Sequence, residues 1–196
     1  MNWVKIWIPV VIATSGCGRP AAEHSVSRQG PGSPPADGVV YHYGAIVRGD
    51  TAKKNLALVF TGDEFADGGG HILSVLRQQK VPGSFFLTGK FYRNPEFQIH
   101  IKSMLSDGHY LGAHSDQHLL YCDWVNRDSL LVNRKEFELD LENNYKGMAR
   151  FGITKEDAPL FLPPYEWYND TISTWTQSMD LQLINLTHVT LSHADY

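Results

Sequence analysis

The sequence predicts an α/β fold, and three observations support that prediction. Short apolar runs alternate with segments whose apolar residues recur at helical spacing, an order typical of parallel strands joined by helices. Polar clusters follow three of these runs, at the strand ends where α/β proteins place their functional groups. The composition of the 196 residues, 42% hydrophobic, 19% charged and 12% aromatic, is that of a globular chain with one sizeable core. The net charge of -4, with no cluster of Lys and Arg, argues against nucleic-acid binding.

The N-terminal segment resembles a bacterial lipoprotein signal. Residues 1–17 carry a basic residue, a short apolar core and small residues that end at Cys17. In such a signal the cysteine is acylated and becomes the mature N-terminus, so Cys17 is the predicted lipidation site and membrane anchor. The protein is therefore expected to be exported and to lie in the cell envelope. The alternative is an ordinary secretory signal in which the cysteine is incidental.

Residues 18–38 are predicted to form a flexible tether. The segment contains several Pro, Gly and Ser residues and no apolar periodicity, so it cannot bury enough surface to order itself. Residues 39–196 then form one predicted domain. The two cysteines of the chain, Cys17 and Cys122, are too few for a disulfide framework or a cysteine-only zinc site. The sequence indicates no protein partner.

Five apolar runs of the domain are predicted strands. Turn-forming or polar residues bound each run, as expected for short strands. In chain order they are Leu56–Phe60, Ser84–Thr88, Tyr110–Ala113, Pro159–Leu162 and Leu181–Leu186. Because helical segments separate them, the strands are expected to pair in parallel.

Four helical segments lie between these strands. The first follows the glycine-rich turn Gly68–Gly70. The second begins near Pro95, which suits a first helical turn, and ends at Asp107 and Gly108. The remaining two are about Asn133–Phe151 and Asp170–Ser178, the latter with Asp170 as its predicted N-cap.

Two adjacent carboxylates follow the first strand. The negative charges of Asp63 and Glu64 repel each other and lose solvation on burial. Such a pair is tolerated when a cation lies between the carboxylates or when the two side chains have separate roles. Taken alone, the pair is better explained as a solvated turn or a helix cap.

Two histidines follow the third strand at a spacing of four residues. His114 and His118 are predicted to lie on one face of a helical turn, so that both imidazoles can reach one metal ion. Two histidines and one carboxylate, with positions left for water, are typical of a catalytic metal site.

Two consecutive prolines follow the fourth strand and hold the backbone before Tyr165. The Tyr165 N–H could then serve as an oxyanion donor. The aromatic side chains of this segment, together with Tyr121 and Trp124, could stack on sugar rings. For Trp167 and Tyr168 taken singly, core packing is an equally good explanation.

Taken in order, these clusters resemble the motifs of the polysaccharide deacetylase (NodB-homology) family, the family 4 carbohydrate esterases. That family has a Thr-Phe-Asp-Asp strand end, a Thr-Phe-Phe strand before a Gly, a Gly-His followed by His-Ser/Thr-x-x-His, and Arg-Pro-Pro-Tyr. The matching segments are Thr61–Glu64, Ser84–Gly89, Gly108–His118 and Leu162–Tyr165. The resemblance spans about residues 56–186 and implies the distorted (β/α) barrel of that family.

The resemblance implies metal-assisted hydrolysis of an acetyl group from a carbohydrate. Asp63 would be the general base, and Glu64, His114 and His118 would hold one divalent metal ion, with Zn²⁺ expected. The backbone N–H of Tyr165 would stabilise the oxyanion. The implied partner is an acetylated glycan. Its expected contacts are Pro164, Tyr165, Glu166, Trp167 and Tyr168.

Three residues depart from the family pattern. Glu64 replaces an Asp, so its carboxylate must adjust by about 1 Å. Leu162 replaces the Arg that pairs with the base, and Asp63 is therefore expected to lack a cationic neighbour. Glu166 replaces a Gly and adds another possible acid or ligand.

The family's last strand and its Leu-x-Ile-x-Leu-His motif, which supplies the general acid, have no match in the sequence. His188 and His193 do not lie in such a motif. The sequence therefore predicts a domain truncated at its C-terminus, with its closing strands missing and an open edge beyond Leu181–Leu186. Poor turnover and aggregation are expected.

Two alternatives to a carbohydrate deacetylase remain open. One is a catalytically silent, sugar-binding lipoprotein on the same fold, which Leu162 and the missing motif favour. The intact Asp63, Glu64, His114 and His118 disfavour it. The other is a metal-dependent amidase that acts on a non-carbohydrate substrate.

Overall fold

The structure is a computed structural model that describes residues 38–187. The predicted signal, the lipidation site Cys17 and all but the last residue of the predicted tether lie outside the described residues. So do His188 and His193. The structure therefore does not test the predicted signal, lipidation site and tether.

Between residues 38 and 187 the chain forms seven strands. They are β1 (Val40–His42), β2 (Ala45–Arg48), β3 (Val59–Gly62), β4 (Ser84–Leu87), β5 (Tyr110–Ala113), β6 (Leu160–Phe161) and β7 (Gln182–Leu183). The last five form a parallel sheet in the order β3-β4-β5-β6-β7, with Phe60 opposite Phe85 and Phe85 opposite Leu111. The last three residues of β4 and the last three residues of β5 are buried, as expected when helices cover both faces of a parallel sheet. The predicted α/β class is confirmed.

Five α-helices lie within the described part of the chain. They are α1 (Gly69–Gln79), α2 (Gly89–Arg93), α3 (Gln98–Ser106), α4 (Arg134–Ala149) and α5 (Asp170–Ser178), with single turns of 3-10 helix at Pro95–Phe97 and Pro164–Glu166. Helix α4 begins with a capping box, in which Asn133 and Glu136 bond each other's backbone N–H. Helix α5 is capped by Asn169 rather than by the predicted Asp170, because the Asn169 side chain accepts from the Ile172 N–H. None of these helices is long and apolar enough to cross a membrane.

The N-terminal hairpin β1–β2 lies beside β7, which corrects the prediction of an open edge there. Ile46 of β2 bridges Ile184 in parallel, and the Asn185 N–H donates to the Ile46 carbonyl at 2.9 Å. The Thr187 hydroxyl donates to the Val47 carbonyl at 2.7 Å. Backbone groups beyond β7 are therefore paired with the hairpin, whose two strands were not among the five predicted from the sequence.

The other end of the sheet is β3, where Val59 is 44% exposed. In the described residues the strands form an open series from β3 to β7, and the barrel implied by the resemblance is not confirmed.

Aromatic side chains fill the core between the sheet and α4. Tyr121, Phe137 and Phe161 are fully buried, and the rings of Tyr121 and Phe137 meet edge to face at 5.1 Å. Each such side chain contributes about 1.5–3 kcal/mol through burial. Helix α4 also packs on α2, so both helices are held against the strand ends that carry the polar clusters.

Candidate active site

The polar clusters predicted from the sequence meet at one edge of the sheet. Asp63 follows β3, His114 follows β5 and Tyr165 follows β6, and parallel strands bring their carboxyl ends to the same edge. The imidazole rings of His114 and His118 have centroids 5.1 Å apart, and the His118 ring lies 4.5 Å from that of Tyr165. The structure therefore brings together residues that are about 50 positions apart in the sequence, such as His118 and Tyr165.

Asp63 is held by two donors that follow β4. The Thr88 hydroxyl donates to Asp63 Oδ1 at 2.8 Å, and the Lys90 ammonium contacts Asp63 Oδ2 at 3.0 Å. Thr88 is fully buried, and its hydroxyl also accepts from the Phe91 N–H at 3.2 Å as the N-cap of α2. The expectation that Asp63 lacks a cationic neighbour is wrong. The cation is Lys90 of helix α2, and not a residue at position 162.

Glu64 also faces Lys90. Its Oε1 lies 3.2 Å from the Lys90 ammonium, and 63% of its side chain is exposed. Burial alone lowers the pKa of Lys90, but hydrogen bonds from its ammonium to Asp63 and Glu64 outweigh burial and raise that pKa. Lys90 is therefore charged at neutral pH and bridges the two carboxylates.

His114 is buried and held in one orientation. Its ring Nδ1 lies 2.8 Å from the Leu162 carbonyl oxygen, which can only accept, so Nδ1 carries the proton and Nε2 keeps its lone pair. Its backbone N–H donates to the Asn144 side chain at 2.8 Å. Burial lowers the pKa of His114 to about 4, and the neighbouring His118 adds to the effect. His114 is therefore neutral at pH 7.

The segment from His114 to His118 is a loop rather than the predicted helical turn. Ser115 and His118 have φ angles of 72° and 58°, in the left-handed region that non-glycine residues seldom adopt. The buried carboxylate of Asp140 on α4 holds this loop, since it accepts from the N–H groups of Asp116 and Gln117 at 3.2 and 3.0 Å. Burial lowers the pKa of His118 as well, so the loop presents two imidazoles that favour the neutral form.

An ion pair between the exposed Arg93 and the buried Asp116 also supports this loop. Asp116 is 4% exposed, and both of its oxygens contact the Arg93 guanidinium, one of them at 3.1 Å. Lys90, Asn144, Asp140 and this ion pair were not predicted from the sequence. The available signals were the polar residues Asp140 and Asn144, spaced four apart among the apolar residues of one face of α4, and the basic residue just after β4.

Tyr165 lies in a strained turn at the end of β6. Tyr165 and Glu166 both have left-handed backbone, with φ angles of 59° and 52°. Each such residue costs about 1–3 kcal/mol, which contacts with the surroundings must offset, and such strain clusters at functional sites. Pro164 is buried and begins this turn, and the Asn185 side chain donates to the Glu166 carbonyl at 2.7 Å.

Exposed aromatic rings extend from the histidines along the surface. Tyr165 is 45% exposed and Trp124 is 53% exposed, and their rings meet edge to face at 5.4 Å. The Trp124 ring also lies 5.5 Å from that of Trp167, whose N–H donates to a backbone carbonyl. The guanidinium of Arg127 lies over the Trp167 ring at 3.6 Å. We call the exposed rings of Trp124 and Tyr165 the aromatic platform.

Tyr168 does not belong to this surface. It is 2% exposed, and its hydroxyl donates to the His42 carbonyl of the hairpin at 2.9 Å. Tyr121 is fully buried and donates to Asp140. Both rings are core residues and cannot stack on a sugar, which corrects the expectation for them.

Two of the three expected metal ligands fit an ion. Burial lowers the pKa of both His114 and His118 and so favours the neutral form that binds metal, and the Nδ1 contact of His114 leaves its Nε2 available. Glu64 does not join them, because its carboxylate contacts Lys90 instead. Within residues 38–187 no group of three His, Cys, Asp or Glu side chains is placed to hold a metal. The three-ligand centre stays a prediction.

Comparison with known proteins identifies the family. The model of the polysaccharide deacetylase family matches residues 48–184. The peptidoglycan-N-acetylmuramic acid deacetylase PdaA of Bacillus subtilis is 32% identical over 148 residues, which are 74% of this chain and 51% of PdaA. The chain therefore spans about half the length of this relative.

Solved structures share the fold. A family 4 carbohydrate esterase from Bacillus anthracis superposes with a TM-score of 0.63 at 25% identity, over 74% of this chain and 65% of its own. B. subtilis PdaA superposes with a TM-score of 0.59 at 24% identity, over 72% of this chain and 56% of its own. A pseudoenzyme of the same family from B. anthracis has a TM-score of 0.55 at 20% identity, over 74% of this chain and 47% of its own. Since the family model matches well over half of the chain, the protein belongs to the polysaccharide deacetylase family, the family 4 carbohydrate esterases.

Proposed function

We propose that this protein hydrolyses acetyl groups on a carbohydrate. One observation carries the proposal: the carboxylate of Asp63, the imidazoles of His114 and His118 and the strained Tyr165 turn meet at one edge of the sheet. Hydrolysis of an acetyl group needs a base for water and a donor for the oxyanion, and these groups can supply both. Membership of the deacetylase family supports the same reaction.

Each residue has a distinct proposed role. Asp63, held by Thr88 and Lys90, accepts the proton of the attacking water. The backbone N–H of Tyr165 donates to the oxyanion of the tetrahedral intermediate, and the two prolines before it keep that N–H in place.

The reaction is proposed to depend on one divalent metal ion, with zinc expected. His114 and His118 would hold it together with Glu64, whose exposed carboxylate would exchange Lys90 for the ion. When bound, the ion would polarise the acetyl carbonyl and make water a stronger acid. His114→Ala should abolish stoichiometric zinc in metal analysis, and a full equivalent retained would overturn this part of the proposal.

The aromatic platform is proposed to bind the glycan beside the acetylated sugar. Sugar rings present apolar faces that pack on exposed aromatic rings, and Tyr165 touches His118 while Trp124 extends the surface away from it. Trp167 supports the platform from one side, and Pro164 and Glu166 form the turn that presents Tyr165.

Acetate release tests the proposed reaction. The purified protein is incubated with zinc and with acetylated chitopentaose, acetylated xylo-oligosaccharide or peptidoglycan, and acetate is measured. Wild type is expected to release acetate, and Asp63→Asn is expected to lose most turnover while it keeps the metal. Asp67→Asn removes the same charge from an exposed residue nearby and serves as the control. Unchanged release by Asp63→Asn would show that another group is the base.

The second candidate is a catalytically silent sugar-binding protein of the same fold. It is favoured by Leu162, by the contact of Glu64 with Lys90 and by the similarity to a pseudoenzyme structure. This candidate predicts binding of chitopentaose in calorimetry together with no acetate release in the presence of zinc. A metal-dependent amidase with a non-carbohydrate substrate would release acetate from acetylated amines and none from the glycans.

Export and lipid anchoring through Cys17 complete the proposal. Expression in a bacterium fed with a labelled fatty acid should label the wild-type protein and leave Cys17→Ser unlabelled. Equal labelling of both proteins would contradict the anchor.

A further inference from the structure

We propose that Lys90 is the positioning residue of Asp63 and supplies the positive charge that the family pattern places at position 162. The inference rests on the proposed function, because it takes Asp63 to be the base. It assigns a role to a residue outside the four motifs of the resemblance. Lys90 lies in the first turn of α2, directly after β4.

The geometry around Asp63 is complete without a group from position 162. Thr88 occupies Oδ1 at 2.8 Å and Lys90 occupies Oδ2 at 3.0 Å, so each carboxylate oxygen has its own donor. Two donors at opposite oxygens restrict rotation of the carboxylate about its last bond. The side chains of Lys90 and Asp63 are 31% and 25% exposed, which leaves the pair reachable by water and substrate.

Leu162 has a different duty in this chain. Its side chain is 4% exposed and uncharged, and its carbonyl oxygen holds the His114 ring. Arg93, the other basic residue of α2, is engaged with the buried Asp116. Lys90 is therefore the cation that α2 presents to Asp63.

The backbone that carries Lys90 is itself bonded to the histidine loop. The Gly89 N–H donates to the Ser115 carbonyl at 3.0 Å, and the Lys90 N–H donates to the Asp116 carbonyl at 3.2 Å. The position of the ammonium is thus coupled to the loop between the two histidines. A positioning group on such a rigid support can hold the base in register with the rest of the site.

The contact with Glu64 is consistent with the same role. Two adjacent carboxylates repel each other, and one ammonium within 3.0 and 3.2 Å of both offsets that repulsion. Without Lys90 the two side chains are expected to turn apart, and Asp63 would leave the orientation that Thr88 and Lys90 define.

The first arm of the test reads the contact without any activity. A carbodiimide joins a carboxylate and a lysine amine that touch each other, and peptide mass spectrometry locates the product. Wild type and Lys102→Met, which removes an exposed lysine of α3, should both give a link from Lys90 to Asp63. Asp63→Asn should retain only the link from Lys90 to Glu64. A wild-type protein in which Lys90 is never linked to Asp63 would overturn the proposal.

The second arm reads kcat and KM separately, on the glycan that releases most acetate from wild type. Lys90→Met should lower kcat by about 10- to 100-fold while KM changes by less than about twofold, because the base is misplaced and the binding surface is untouched. Lys90→Arg keeps the charge and should recover most of the loss. Lys102→Met should match wild type. Melting temperatures are measured for every variant, and Lys90→Gln replaces Lys90→Met if the latter does not fold.

The outcomes separate this inference from the proposed function. Wild-type kcat in Lys90→Met, a change confined to KM, or no recovery in Lys90→Arg would overturn the positioning role while the deacetylase remains. A wild-type protein that gives the link from Lys90 to Asp63 but releases no acetate from any glycan would overturn the proposed function, and with it the catalytic part of this role.

Discussion

Asn144 ties helix α4 to two strand ends, and its replacement tests how the site is supported. The side chain is fully buried, accepts from the His114 N–H at 2.8 Å and donates to the Leu87 carbonyl at 3.1 Å. Asn144→Ala leaves both backbone groups buried without these partners. Each unsatisfied group costs about 1–3 kcal/mol, so the free energy of unfolding should fall by about 2–6 kcal/mol. That is a large part of the 5–15 kcal/mol typical of a domain.

Equilibrium unfolding in urea measures this loss. Asn143→Ala is the matched control, because Asn143 neighbours Asn144 on the same helix and its side chain accepts from the exposed Lys146 ammonium at 2.9 Å. The control should change the free energy of unfolding by less than about 0.5 kcal/mol. A loss below about 1 kcal/mol in Asn144→Ala, with an unchanged dependence on urea, would show that water replaces the side chain and would refute the reasoning.

Three further predictions concern stability. The pKa of His114 falls from 6.5 to about 4 on folding, so the unfolded chain binds a proton that the folded protein excludes, and stability present above pH 6.5 should be lost as pH falls toward 4. The loss of unfolding free energy should approach about 3 kcal/mol, measured by urea unfolding with a chelator present. In His114→Gln the unfolding free energy should vary with pH by about 3 kcal/mol less than in wild type. An equal variation in both proteins would contradict the lowered pKa of His114. Gly89→Ala should destabilise the protein by about 1–3 kcal/mol, since a Cβ there would overlap Asp116 Oδ1. Gly70→Ala should not, because a Cβ there would lie 3.7 Å from the His100 ring, an ordinary contact; equal melting temperatures of the two variants would refute this. Leu162→Arg buries a guanidinium where Asp63 already has a cation, and should cost several kcal/mol; a variant as stable as wild type would show that the pocket accepts the charge.

The strands of the sheet could be predicted because their signals are local. Tyr110–Ala113 was predicted with the bounds that the structure has, and the other four strands were found with ends shifted by up to a few residues. Apolar runs bounded by turn residues report burial directly. The meeting of Asp63, the histidines and Tyr165 followed from one further rule, that parallel strands bring their carboxyl ends to one edge.

Local backbone conformation was predicted less well where tertiary contacts override local preference. A spacing of four suggested that His114 and His118 share a helical turn, but the segment is a loop with left-handed Ser115 and His118. Asp140, more than 20 residues away, holds that loop through two backbone N–H groups. Nothing within the histidine segment itself indicates this partner.

The sequence by itself determined the fold class, the succession of strands and helices along the chain and the family, since these depend on local patterns and on motifs in chain order. Only the tertiary structure decided which groups meet. It placed the hairpin beside β7, buried Tyr168 against His42, and set Lys90 rather than a residue at position 162 against Asp63. These contacts join residues separated by 27 to 138 positions, as with Lys90 and Asp63 or Ile46 and Ile184. Such pairings depend on how complete elements pack, and no local pattern of apolar or charged residues encodes them.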